Sequence, residues 1–167
     1  RASYDLTGLP PTMELIRTYA ADPSSDGWDA LVDGLLASDQ YGVKWGRHWL
    51  DLVRWAETDS FERDNRKPSA WRYRDWVVDA FNRNVPWDDL TIWQLAGDLL
   101  PNATMEQRLA TGFLRNHPIN GEGGRIAEEN RVDYVMDMTE TTGTVWLALT
   151  FNCCRCHDHK FDPIPTE

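Results

Sequence analysis

The chain has 167 residues, 17 Lys and Arg against 27 Asp and Glu, a formal charge of −10 and nine tryptophans. That length suits one domain with a sizeable core. The acidic balance excludes nucleic acid or an anionic membrane surface as an electrostatic partner. No apolar run reaches membrane-spanning length, the longest, Val145 to Phe151, being interrupted by Thr150. A mean hydropathy of −0.56 beside so many aromatics predicts a charged surface over an aromatic interior.

Leu6 to Thr12 reads as a turn punctuated by Gly8 and Pro10-Pro11. Thr12 caps a short helix through about Ala21, ended by Asp22-Pro23. Ser25 or Asp26 caps a second helix, Trp28 to Ala37, with Trp28, Leu31, Val32, Leu35 and Leu36 on one stripe. A third runs from Tyr41 to Glu57, its buried face formed by Trp45, Trp49, Leu52, Val53 and Ala56.

After a polar loop, Thr58 to Pro68, a fourth helix over Ala70 to Arg83 buries Tyr73, Trp76, Val77, Ala80 and Phe81. Pro86 breaks the chain before a fifth helix, Trp87 to Leu100. Thr104, with Gln107 three residues on, forms a capping box for a sixth, to about Leu114. Asn116 to Arg125, with Pro118 and three glycines, is loop, and a last helix over Glu128 to Leu149 bears Val132, Val135, Met136, Val145 and Trp146. No run alternates with period two, so the expected fold is all-α: one irregular multi-helix domain with long loops over residues 1–167.

Cys153-Cys154-Arg155-Cys156-His157 contains C-x-x-C-H, the attachment signature of a c-type haem. Cys153 and Cys156 would form the two thioethers of one covalent haem c, and His157 would ligate the iron. A disulfide or redox pair is an alternative, although no β-α-β pattern precedes the motif. A zinc site from Cys153, Cys156, His157 and His159 is another, although no second cysteine pair exists. Cys154 fits none of these roles.

The sixth iron position has several candidates. His48 lies beside the third helix's apolar stripe, a setting in which an imidazole is more often a satisfied core histidine than a ligand. His117 in the Gly/Pro loop and Met136 on the last helix are others, as are a five-coordinate iron and a ligand from outside the chain. His159 would have to cross the porphyrin edge, so a contact to a propionate or to the ligand shell suits it better. Arg72 and Arg74 are propionate-binding candidates; alternatively Arg72, Asp75 and Asp79 form surface ion pairs at helical spacing. The acidic groups Asp59, Glu62, Asp64 and Glu122, Glu128, Glu129 match no EF-hand loop. Gly121-Glu122-Gly123-Gly124 lacks the strand and Lys of a phosphate loop.

Long literal stretches carry a family resemblance: Asp5-Leu6-Thr7-Gly8-Leu9-Pro10-Pro11-Thr12, Arg47-His48-Trp49-Leu50-Asp51, Trp71-Arg72-Tyr73-Arg74-Asp75-Trp76, Gln94-Leu95-Ala96-Gly97-Asp98-Leu99-Leu100-Pro101, and Cys156-His157-Asp158-His159-Lys160-Phe161-Asp162-Pro163-Ile164. Together they resemble the cytochrome-C-associated domain of unknown function expanded in planctomycetes and related bacteria, over essentially the whole chain. The resemblance implies large exported proteins in which the domain sits near a cytochrome c-like module, and a role in extracytoplasmic electron transfer. This chain departs from the family pattern at Cys154, where a small residue is common, and at Leu114, where a His is common.

The expected function is therefore a mono-haem c-type cytochrome domain in a periplasmic or otherwise extracytoplasmic setting, with a redox partner protein or cytochrome c-like module. The alternative is a haem oxidoreductase, peroxidase-like or acting on carbohydrate, with an open distal site. Arg1-Ala2-Ser3-Tyr4 is no signal peptide, so an export signal and further domains are expected in a longer precursor.

Overall fold

A computed structural model describes residues 1–60 and 63–166. Among these, eight α-helices and three short 3₁₀ turns make an all-α domain; the one β contact is an isolated bridge between Thr58 and Arg66. No described helix is long and apolar enough to cross a membrane.

The chain opens with α1 (Ala2–Thr7), a helix the sequence reading did not predict, which takes in Leu6 and Thr7 of the expected turn. Its start has no side-chain cap to announce it. Gly8, at φ 72°, closes it in the left-handed region that glycine tolerates. Thr12 caps α2 (Met13–Ala21) as expected, its Oγ1 accepting from Leu15 N at 3.1 Å. The cap of α3 (Ser25–Leu36) is Ser24, one residue before the predicted pair, accepting from Gly27 N at 3.2 Å.

Helix α4 (Asp39–Leu52) stops five residues short of the predicted Glu57. Arg54 turns left-handed at φ 58°, Arg54 N donates to Asp51 O at 3.2 Å, and Trp55 N donates to Leu50 O at 2.9 Å. This is a Schellman ending. It is built without glycine, so the sequence carries no stop signal. The buried face also differs from the predicted stripe: Gly42, Gly46, Trp49, Leu50 and Val53 are buried, while Trp45 and Leu52 are exposed. The reason is close helix packing. A Cβ on Gly42 would collide with the Val78 carbonyl of α5 (Trp71–Asn82), and Gly42 N instead donates to Asn82 Oδ1 at 2.6 Å.

Helix α5 buries Tyr73, Trp76, Val77 and Ala80, with Phe81 only partly covered. Helix α6 (Trp87–Ala96) gives way to a 3₁₀ turn at Gly97–Leu99, earlier than the predicted Leu100. Gly97 sits so close to the Gln107 backbone that a Cβ there would collide with it. The predicted capping box at Thr104 and Gln107 opens α7 (Met105–Ala110), which tightens into a 3₁₀ turn over Thr111–Arg115.

At the centre of the core, fully buried Gln94 accepts from Trp49 Nε1 at 2.9 Å and from the Tyr73 hydroxyl at 2.6 Å, and donates to Leu90 O at 3.0 Å. The aromatic interior is smaller than the composition suggests. Trp49 and Trp76 are buried, whereas Trp28, Trp45, Trp71 and Trp87 are largely exposed.

Helix α8 (Ala127–Leu147) carries the chain to the cysteine motif. It is tied to the core at its C-terminal half. Trp146 packs edge-on against Phe113 and Trp49 at 4.9 and 5.8 Å and donates to Thr91 Oγ1 at 3.0 Å. The predicted apolar positions Val132, Val135 and Met136 share a face but stay largely exposed.

Candidate haem-attachment site

Ala148 ends α8 in the left-handed region at φ 54°, and Leu149 N returns to Gly143 O at 3.2 Å. The Phe151 ring lies against Gly143, where any side chain would clash with it. That contact seats a 3₁₀ turn over Phe151–Arg155 on α8. The turn closes through the Cys153 carbonyl, which accepts from Cys156 N at 3.2 Å and from His157 N at 3.3 Å.

At about three residues per turn, positions 153 and 156 share one side. Cys153 and Cys156 are both exposed free thiols. Cys154 and Arg155 line a cavity of about 250 Å³ with Met136, Thr139, Glu140 and Ile164. Burial pushes the Cys154 thiol up, and neighbouring Cys153 and Asp158 add to the rise. That rise makes Cys154 a poor source of thiolate nucleophile.

Arg155 anchors the turn, a role the sequence reading missed. Its Nη2 donates to Asp133 Oδ1 at 2.7 Å, and its Nε lies 3.4 Å from both Met136 Sδ and Glu140 Oε1. The signal available in the sequence is the spacing of Asp133, Met136 and Glu140, which puts three acceptors on one face of α8 beside a basic residue inside the motif.

His157 is exposed, and its Nδ1 lies 2.7 Å from the Asp158 carbonyl. A carbonyl only accepts, so Nδ1 is the donor, and in the neutral ring the lone pair lies on Nε2. Metal-binding histidines are held in this way, one ring nitrogen tied to a backbone acceptor and the other free to ligate. Two unpaired thiols on one side of a single turn, followed by an imidazole fixed in the ligating tautomer, fit a covalently attached haem.

The remaining predicted residues have other places. His159 is nearly enclosed, with 9% of its side chain exposed, and it fastens the tail. Its Nδ1 accepts from Asp162 N at 3.0 Å and Phe161 N at 3.4 Å, and its own amide donates to Ile164 O at 2.9 Å. Only Nε2 is left for an outside partner. His48 is exposed on α4, 5.5 Å from the Trp45 ring, and so is no core histidine. Its helix lies against α1 and α5, while the cysteine turn lies against α8. His117 is the buried histidine instead, stacked on Tyr134 at 4.5 Å with Nδ1 2.9 Å from Pro118 O. Met136 does not point inward: it is 38% exposed and its sulfur faces Arg155.

Arg72 is exposed and lies over Trp71 at 5.5 Å. Arg74 reaches Asp75 at 2.8 Å and Glu57 at 3.4 Å across the Trp55 ring. The surface pairs on α5 are thus Arg74 with Asp75 and Arg83 with Asp79, not the predicted set centred on Arg72. Among the described residues no three His, Cys, Asp or Glu side chains converge as a closed zinc site or a calcium cage requires. Glu62, part of one acidic group, lies outside the described residues.

The fold and the motif define a class: an all-α domain that presents a C-x-x-C-H turn at the end of its last helix. The chain belongs to PSCyt2, a protein family of unknown function (DUF1549), whose sequence profile matches residues 1–167. No curated protein and no solved structure matches it.

Proposed function

We propose that this chain is a c-type cytochrome domain that carries one covalent haem on Cys153 and Cys156, with His157 as the proximal ligand. The observation that carries this reading is the His157 Nδ1 contact to the Asp158 carbonyl, 2.7 Å long, beside two free thiols on one exposed turn. When bound, the haem supplies a one-electron iron couple. Arg155 holds the turn against α8 through Asp133, and His159 holds the tail that follows it. The attachment side is open to solvent, which suits electron exchange with a redox partner or a cytochrome c-like module. Covalent attachment of this kind also implies an extracytoplasmic location and export of the precursor.

A second reading, a haem oxidoreductase with an open distal site, draws support from Met136 and His159. The sulfur of Met136 already faces Arg155, and Nδ1 of His159 already accepts two backbone amides. Spectra of protein made in a host competent for cytochrome maturation test both readings. A sharp reduced α band that survives acid-acetone extraction is expected for the cytochrome, and a high-spin spectrum shifted by cyanide would favour the enzyme. Absence of any Soret band would overturn both.

A further inference from the structure

A groove of about 290 Å³ opens between the start of α1, α2 and α3. Pro11, Leu15, Ile16, Tyr19, Trp28 and Leu31 form most of its wall, and Tyr19 meets Trp28 edge-on at 6.1 Å. The described fold leaves it open: no residue of α2 is buried, and Ile16 and Trp28 each stay 45% exposed. A contiguous apolar surface rimmed by polar residues marks an interaction site. We propose that this groove docks a cationic amphipathic helix of a partner protein, whose apolar face enters the groove while its lysines or arginines meet the surrounding carboxylates.

The charge around the groove fixes the sign of the partner. Met13 to Leu36 hold five carboxylates, Glu14, Asp22, Asp26, Asp29 and Asp33, against one cation, Arg17. Glu14 and Asp29 adjoin the wall residues Leu15 and Trp28 in sequence, and Asp22 lines the continuation of the groove past Leu15, Tyr19 and Leu31. All five are exposed, and among the described residues none of them forms a salt bridge. Asp26, Asp29 and Asp33 recur at three- and four-residue steps, a row of like charge that costs helix stability. Asp33 also stands in the last turn of α3, where no basic residue offsets the negative end of the dipole. Cations supplied by a partner remove both penalties.

A helix is the form that fits. Helices laid in apolar grooves present large side chains one turn apart, with polar residues on both flanks. Carboxylates stand on both helices that wall this groove, Glu14 on α2 and Asp29 on α3, so basic residues on both flanks of the partner find acceptors. A second copy of this chain is the wrong partner. A two-fold contact through this face sets its five carboxylates against five identical ones. Anionic lipid and nucleic acid are repelled for the same reason. The cysteine turn is seated on α8, whereas this face belongs to α1, α2 and α3, and the inference is independent of the haem.

Three labelled peptides of equal length test the proposal: an amphipathic leucine–lysine helix, its leucine–glutamate counterpart, and a serine–lysine peptide of the same charge as the first. Binding is read by fluorescence anisotropy, and its place by the Trp28 indole N–H signal of isotope-labelled protein. The leucine–lysine peptide is expected to bind saturably, to shift the Trp28 signal, and to lose affinity severalfold between about 50 and 500 mM salt. The serine–lysine peptide is expected to bind about tenfold more weakly, and the leucine–glutamate peptide not at all. Ile16→Ser, at an exposed position, is expected to weaken binding about tenfold. Asp29→Asn with Asp33→Asn is expected to weaken it about threefold. Asp51→Asn with Asp98→Asn removes the same charge at exposed positions elsewhere and leaves the affinity unchanged. No Trp28 shift up to about 1 mM leucine–lysine peptide, binding of the leucine–glutamate peptide, or equal losses in the two asparagine pairs would overturn the proposal. So would a concentration-dependent dimer, seen by sedimentation, that Ile16→Ser abolishes.

Discussion

Arg54 grips Asp137 with both arms of its guanidinium, Nη1 to Oδ1 at 3.0 Å and Nη2 to Oδ2 at 2.6 Å, and Nη2 also reaches the Thr141 hydroxyl. The same residue ends α4 in a left-handed conformation at φ 58°. One arginine therefore stops the helix and ties it to α8, the helix that carries the cysteine turn. Two variants separate these effects. Arg54→Gly removes the clamp but relieves the backbone strain, whereas Arg54→Ala removes the clamp and keeps the strain. The alanine variant is expected to be less stable than the glycine variant by about 1 kcal/mol in urea unfolding. Equal stabilities would show that the left-handed residue is unstrained.

The Gln94 network sets an alkaline limit. Burial raises the Tyr73 phenol well above its ordinary value near 10. In the folded state the group keeps its proton where the unfolded chain releases it. The sign follows: the stabilisation is complete below about pH 10 and is lost as pH rises further. Tyr73→Phe is expected to start less stable, because Gln94 loses a donor, yet to fall less steeply above pH 10. Parallel stability curves for the two proteins above that pH would contradict the buried phenol.

Two helical glycines have opposite expectations. Gly42 meets the Val78 carbonyl directly, so Gly42→Ala must push α4 from α5 and is expected to cost about 2 kcal/mol. Nothing lies within 4 Å of a Cβ on Gly34 in α3, so Gly34→Ala is expected to stabilise by about 0.5–1 kcal/mol through helix propensity. Thermal unfolding of both variants checks the pair.

The thiols of the motif are expected to behave unequally toward attachment. If the proposed attachment holds, Cys154→Ser is expected to leave one haem bound through two thioethers, because Cys154 lines the cavity beside α8 while Cys153 and Cys156 are the exposed thiols. Cys153→Ser and Cys156→Ser each leave a single thioether. The α-band position of the pyridine haemochrome counts the remaining vinyl groups and separates the cases. A Cys154→Ser protein with an altered band would contradict the orientation of the turn.

Helix starts with polar caps were legible in the sequence, since Thr12 and Thr104 bond the amides their spacing implies. The ends were not. Arg54 and Ala148 adopt left-handed backbone without the glycine that usually signals it. Periodicity also told which residues of α8 share a face, but not whether another element covers that face; Val132 and Val135 remain exposed. At the site, the spacing of Cys153, Cys156 and His157 was readable because it is local. The Arg155 anchor and the His159 fastening were not, because one depends on how the turn meets α8 and the other on how the tail folds back.

The most direct test is the intact mass of protein matured in a host that makes c-type cytochromes, compared with a Cys153→Ser, Cys156→Ser double variant. The wild-type chain is expected to gain the mass of one haem that resists denaturation, and the double variant none. A wild-type mass equal to that of the bare polypeptide would contradict haem attachment to this turn.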